Sequence, residues 1–146
     1  MPFTAEEQVI VRRRAVDRLK RIGNIRAAAQ LSEAGATATQ IAERLGIAEP
    51  TVHRLQAGAR VLGDVEGSPE EMILRAFVDG TDRAELVVAL SVYPYTFPEY
   101  APYPHEGKTL STWDQVEAAA VAGFISRDEF LRIHAAVNPP PPKDSP

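Results

Sequence analysis

"ATQIAERLGIAEPTVHRL", residues 38 to 55, sets two short apolar patterns on either side of a glycine, and their spacing decides the fold of the N-terminal half. Ile41 and Leu45 face inward from a helix predicted over residues 39–45, and Ala42 is small where another helix must come close. Gly46 supplies the left-handed backbone that ends this helix, and Ile47 tucks under the turn. Pro50 then starts a new helix that runs to about residue 60, with Val52 and Leu55 inward. Seven positions, Ile41, Ala42, Leu45, Gly46, Ile47, Val52 and Leu55, agree at once with the apolar and small-residue skeleton of a helix-turn-helix.

Groove dimensions say what that geometry is for. A B-DNA major groove, roughly 12 Å wide, admits one α-helix, so a second helix braced on a first can offer its outer face to base edges. That face predicts Glu49, Thr51, His53 and Arg54 as base-reading residues. Arg54 can give two donors to guanine O6 and N7, His53 can donate or accept, and Thr51 can meet a phosphate or a thymine methyl. Thr37, Thr39 and Gln40 open the bracing helix, where hydroxyls, amides and helix N-terminal N–H groups hold phosphate; Gln56, Arg60 and Arg26 complete the expected backbone contacts. The competing interpretation is a plain helical bundle with a solvated His-Arg pair.

The net charge of −4 over 146 residues conceals an asymmetry. Residues 1–63 hold ten Lys/Arg against six Asp/Glu, a balance of +4, whereas residues 64–146 hold six against fourteen, a balance of −8. The change falls at "GDVEGSP", residues 63–69, which has the composition of a linker. The expected organisation is a helix-turn-helix domain over 1–63, a linker over 64–68, a C-terminal helical domain over 69–137 and a disordered Pro-rich tail over 138–146. There are no cysteines, which removes disulfides, thiolate metal sites and a cysteine nucleophile. No apolar stretch approaches a membrane span and no signal-peptide pattern opens the chain, so a cytoplasmic protein without a membrane partner is expected.

Upstream of the motif, Val11, Ala15, Leu19 and Ile22 recur at helical spacing beside a stripe of Arg14, Arg18 and Arg21. With Arg12, Arg13, Lys20 and Arg26 nearby, that stripe is either a solvated face or a phosphate contact. Gly23 and Asn24 are expected to break this helix, with a second one over residues 25–33 ended by Gly35. Beyond the linker, "SPEE", "DRAE", "TWDQ" and "SRDE" announce four capped helices, Ser68 with Pro69 and Glu71 being the most explicit start. Few alternating runs suggest strands, so the chain reads as all-α. "YPYTFPEYAPYPHEGK", residues 93–108, carries all four tyrosines and four prolines; it cannot be helix, and its aromatics must pack on or bind something.

Enzyme motifs are missing. "HEGKT" contains GKT, but a phosphate loop needs a glycine at position 102, which is Pro102. His53, His105 and His134 lack metal-binding spacing, and His134 reads as a partly buried helix residue. No catalytic residue, metal, cofactor or small-molecule substrate is expected.

The acidic half leaves two readings open: a module that dimerises or binds a protein, or a second DNA-contacting domain. Charge favours the first. Lys108, Thr109, Ser111 and Thr112, gathered at the start of the helix of Trp113, with Arg127 opening the next, offer the second a phosphate-binding surface; Thr112 and Ser126 also read simply as caps.

"TQIAERLGIAEPTVHRL" together with "YPYTFPEYAPYPHEGKTLSTWDQVEAAAVAGFISRDEFLRI" resembles the immunity repressors of cluster A mycobacteriophages over residues 25–137. The resemblance implies a repressor in the host bacterial cytoplasm that maintains lysogeny by shutting an early lytic promoter. It also implies binding, as a monomer, to dispersed asymmetric double-stranded DNA sites called stoperators, where elongating transcription is blocked. A monomer on an asymmetric site cannot double its contacts by symmetry and needs a second surface on the same chain. The sequence offers no zipper heptads for pairing. The expectation is therefore a monomeric, two-domain DNA-binding repressor, and the alternative is a dimeric helix-turn-helix regulator.

Overall fold

The computed structural model describes residues 3–62, 67–98 and 111–140, with the helix reaching residue 62 but side chains described only to residue 60 in that stretch. The described residues form seven helices and no strand: α1 (Ala5–Glu33), α2 (Ala38–Leu45), α3 (Glu49–Leu62), α4 (Pro69–Asp79), α5 (Arg83–Val92), α6 (Thr112–Ala122) and α7 (Arg127–Val137). The fold is all-α, as the periodicity predicts.

The first difference from expectation is α1. It runs unbroken through Gly23 and Asn24 for 29 residues, about 43 Å at the α-helical rise. A glycine in a helix costs about 1 kcal/mol relative to alanine. Here that cost is outweighed by Ala15, Ile22, Ile25 and Ala28, all buried along one face of the continuous helix. Thr4 and Glu7 form a reciprocal capping box at its start.

Two apolar cores result, and α4 contributes buried residues to both. The first gathers Ala15, Ile22, Ile25 and Ala28 of α1, Ile41 of α2, Val52 and Leu55 of α3, and Leu74 of α4. The second holds Ile73 and Ala76 of α4, Leu86 and Leu90 of α5, Trp113 and Val116 of α6, Ile125, and Ile133 of α7. Thus α4 lies between the cores, and Phe124 packs on both. Phe3, Phe77 and Phe124 form an edge-to-face cluster, with Phe77 and Phe124 5.1 Å apart.

The caps of the C-terminal helices follow the sequence with two corrections. Ser68, placed in the expected linker, is fully buried; its Oγ accepts from the Glu71 N–H at 3.2 Å and starts α4. Glu71 does not complete a capping box, because its carboxylate is drawn to Arg26 and Arg75. Asp82 and Ser126 cap α5 and α7 as anticipated. In "STWDQ" the cap is Ser111, one residue earlier than Thr112, because Ser111 and Asp114 make the reciprocal box. Residues 63–66, 99–110 and 141–146, covering much of the expected linker, the middle of the tyrosine-rich segment and most of the tail, lie outside the described residues.

The described part of the tyrosine-rich segment packs. Trp113 is buried, with Tyr95 edge-on at 5.1 Å and Phe130 stacked at 6.0 Å. The Tyr95 hydroxyl donates to the Leu90 carbonyl at 2.5 Å, and burial pushes its phenol above the ordinary tyrosine range. His134, expected to be partly buried, is exposed, with its ring tilted against those of Trp113 and Phe130 at 6.1 and 5.9 Å. On α5, Arg83 donates twice to Glu129 of α7, at 2.8 Å each, and once to the Phe124 carbonyl at 3.0 Å.

Two outcomes test this description. Nothing lies within 4 Å of a Cβ built on Gly23, so Gly23→Ala should raise stability by about 0.5–1 kcal/mol in denaturant titration. A loss would mean a break in α1. The Arg83 hydrogen bonds, aided by Ser126, hold the Glu129 carboxyl down from 4.5 to about 2. A depressed carboxyl stabilises fully above its unfolded value, and the gain is lost as pH falls from about 4.5 toward 2. Glu129→Gln should therefore lower stability at pH 7 modestly, since Arg83 stays 43% exposed, and flatten the acid limb of the stability profile. An unchanged acid limb would contradict the assignment.

Candidate nucleic-acid interface

The N-terminal three helices form a compact reading head on α1. Thr37 opens α2 with a capping box: its Oγ1 accepts from the Gln40 N–H at 3.2 Å, and Gln40 Oε1 accepts from the Thr37 N–H at 2.8 Å. Gly46 ends α2 at φ 66°, ψ 37°, and the Ile47 N–H reaches back to the Ala42 carbonyl at 3.0 Å. The chain is thereby turned within three residues into α3, which begins at Glu49 with Pro50 in its first turn. Ile41, Val52 and Leu55 are buried between α1, α2 and α3. Gly58 lets α3 close on α1, since a Cβ there would stand 2.9 Å from Ile25 Cδ1. That close approach fixes the rotation of α3 about its own axis.

With Val52 and Leu55 inward, α3 turns Glu49, Pro50, His53, Arg54, Ala57 and Arg60 outward, and all six are exposed. The repeat of Glu49, His53 and Ala57 at four-residue spacing makes one ridge, with Arg60 one turn further on. Thr51 and Gln56 are half-buried on the two flanks. Arg54 Nη2 donates to Thr51 Oγ1 at 3.3 Å, which steadies the guanidinium and leaves its other donors to outside partners. Thr39 Oγ1 donates to Glu49 Oε2 at 3.4 Å across the turn, so both carry a positioned oxygen at the mouth of the motif. Thr37, Thr39 and Gln40 are exposed. The Thr37 hydroxyl hydrogen and the Gln40 amide hydrogens are not used by the capping box and can donate to phosphate.

Residues 8–60 match the family model of a homeodomain-like domain, a span that begins in the first turn of α1 and closes near the end of α3. The chain carries a helix-turn-helix DNA-binding domain. No curated protein and no solved structure matches the chain. None of the described helices is long and apolar enough to cross a membrane.

The expected site residues divide into three groups. Glu49, Thr51, His53, Arg54, Gln56 and Arg60 lie exposed or half-buried on α3, and Thr37, Thr39 and Gln40 are exposed at the start of α2, where the Thr39–Glu49 contact joins the two helix starts. Arg26 is not among them: its guanidinium pairs with the buried Glu71 carboxylate on α4. Ser111 and Thr112 are also removed from the surface. Both are buried: Ser111 Oγ serves Asp114, and Thr112 exchanges hydrogen bonds with Thr96, the Thr96 N–H donating to Thr112 Oγ1 at 2.8 Å and the Thr112 N–H to Thr96 Oγ1 at 3.0 Å. Lys108 and Thr109 lie outside the described residues, and Arg127 is exposed at the first position of α7. Ala57 and Gly58 were missed by attention to polar types. The helical repeat from Glu49 places Ala57 on the ridge, where a methyl lets the helix approach closely, whereas the contact made by Gly58 with Ile25 is tertiary and leaves no local signal.

Two substitutions follow from this geometry. Nothing lies within 4 Å of a Cβ on Gly46, so the cost of Gly46→Val is backbone strain alone, about 1–3 kcal/mol, and stability and DNA binding should fall together in parallel melts and binding assays. A variant that melts and binds like the parent would contradict the turn. Arg54→Ala should cost about 1–3 kcal/mol on a preferred site and relax preference at one or two base pairs. An equal loss on random DNA would make Arg54 a phosphate contact instead.

Proposed function

We propose that the protein is a sequence-specific transcriptional repressor that reads an asymmetric operator as a monomer, with the α3 ridge in the major groove and the C-terminal helical domain on the same duplex. The ridge carries the proposal: Glu49, His53, Arg54 and Arg60 stand exposed on a helix whose rotation is set by three buried residues and one glycine contact. Arg54 and His53 supply donors suited to guanine, and Glu49 an acceptor suited to cytosine N4. In this reading the head is residues 1–63 and the helical body residues 69–137, with Leu74 of the body packed into the head's core. Arg127 is exposed for a second contact; Lys108 and Thr109, which the sequence also offers for it, lie outside the described residues. The sequence resemblance supports the finer reading, a phage immunity repressor that maintains lysogeny by occupying operator and stoperator sites in the host cytoplasm. Repression then needs no catalysis and no cofactor, only occupancy.

One observation favours the dimeric alternative. Val88 and Val92, one turn apart on α5, are 64% and 75% exposed and could pair with a second copy. The molar mass of the full chain on a single short site separates the two. One chain, with a single asymmetric footprint longer than one helix can cover, is expected. Two chains on symmetric half-sites about one helical turn apart would establish the dimer in its place.

A further inference from the structure

The two halves are joined by more than residues 63–68. Along α1, Arg12, Arg18 and Arg26 each reach α4. Arg12 Nη1 donates to the Val78 carbonyl at 2.7 Å. Arg18 grips Glu70 with two hydrogen bonds, Nε to Oε2 at 2.9 Å and Nη2 to Oε1 at 2.8 Å, and this pairing raises the guanidinium further above its ordinary value. Arg26 pairs with Glu71, whose side chain is only 8% exposed and also accepts from Arg75 Nε at 2.9 Å. Arg12 meets the C-terminal end of α4 and Arg26 its N-terminal end, so the two helices run antiparallel. Leu74 fills the seam against α1's buried face, and Gln115 of α6 accepts from the Glu70 N–H at 3.0 Å, extending the contact into the C-terminal body.

The other end of α1 is as firmly tied to α3, through Ile22, Ile25 and Ala28 and the close approach at Gly58. One unbroken helix therefore carries both the reading head and α4, and the two attachments overlap where Ile25 meets Gly58 of α3 and Arg26 meets Glu71 of α4. We infer that this α1–α4 seam, and not the linker, sets the distance and the rotational phase between the α3 ridge and the C-terminal domain's contact with DNA, with Glu70 and Glu71 as positioning residues. The inference rests on the reading that residues 69–137 touch the duplex. Phase matters because each base pair inserted between two contacts turns the outer one by about a tenth of a turn, and a rigid reader cannot follow. A reader joined only by a flexible linker can, because such a linker samples many distances at little cost.

The test uses the full chain on duplexes with zero, five or ten base pairs inserted between the α3 site and the outer part of the footprint. Three proteins are compared: the parent, a form with four Gly/Ser residues inserted between positions 65 and 66, and the double variant Glu70→Gln/Glu71→Gln. For the parent, affinity should fall at least tenfold with five inserted base pairs and stay low with ten, since a full turn restores phase but not distance. The lengthened linker should leave that ratio unchanged, and the double variant should bring it toward one. The ratio, not the affinity, is decisive, because a variant that is merely less stable loses affinity on every duplex alike. A ratio that collapses with the longer linker and survives in the double variant would overturn the inference while leaving the second contact intact. A parent that shows no spacing dependence and protects no more DNA than α3 can cover would remove the second-contact reading, and the inference with it.

A measurement without DNA keeps the seam testable on its own. The chain has no cysteine, so Lys20→Cys and Val88→Cys, both at exposed positions, can carry a pair of nitroxide labels. One narrow distance is expected in the parent and in the lengthened form, and a broad spread in the double variant. A broad spread in the parent would overturn the inference directly.

Discussion

The burial of one face of α1 along most of its length is the constraint on which the rest depends. Ala15, Ile22, Ile25 and Ala28 share one core with Ile41 of α2, Val52 and Leu55 of α3 and Leu74 of α4, so this stretch of the helix cannot shift without disturbing all three neighbours. Close packing of this kind transmits displacement instead of absorbing it. The orientation of the α3 ridge is thus inherited from α1, and so is that of the C-terminal body through Leu74 and the arginine contacts to α4.

The charge asymmetry takes on a different meaning in the fold. An acidic half beside a basic half suggests two surfaces with opposite partners, yet several of the charges that create the contrast face each other across α1 and α4. Arg18 is matched by Glu70, and Arg26 and Arg75 by the buried Glu71. Leaving the buried Glu71 uncompensated is costly, which makes its pairs more valuable as orienting contacts than as net stabilisation, while the half-exposed Arg18–Glu70 pair contributes little stability of its own. The positive charge left to α3 is that of Arg54 and Arg60, both exposed.

What was legible in the sequence was what is local. The turn at Gly46, the inward Ile41, Val52 and Leu55, and the caps at Ser68, Asp82 and Ser126 are each fixed by neighbours within four residues, and periodicity and capping chemistry read them directly. The break expected at Gly23 fails because glycine's penalty is small beside burial that only the tertiary fold supplies. Residue type alone puts Arg26 and Thr112 on a DNA surface, but their partners, Glu71 and Thr96, are set by packing; Glu71 is 45 residues from Arg26 and Thr96 is 16 from Thr112. The cap in "STWDQ" was one residue off for a simpler reason: Ser111 and Thr112 are both good caps, and only the partner at Asp114 chooses between them.

The central claim is that the outward ridge of α3 is the surface that meets base edges. Amide chemical-shift mapping of the isotope-labelled full chain, titrated with a short duplex carrying its preferred site, tests it most directly. The account predicts the largest perturbations at Glu49, His53, Arg54, Ala57 and Arg60, with smaller ones at Thr37, Thr39 and Gln40. Perturbations centred on the solvent face of α1, at Arg13 and Lys20, with α3 unmoved, would contradict it.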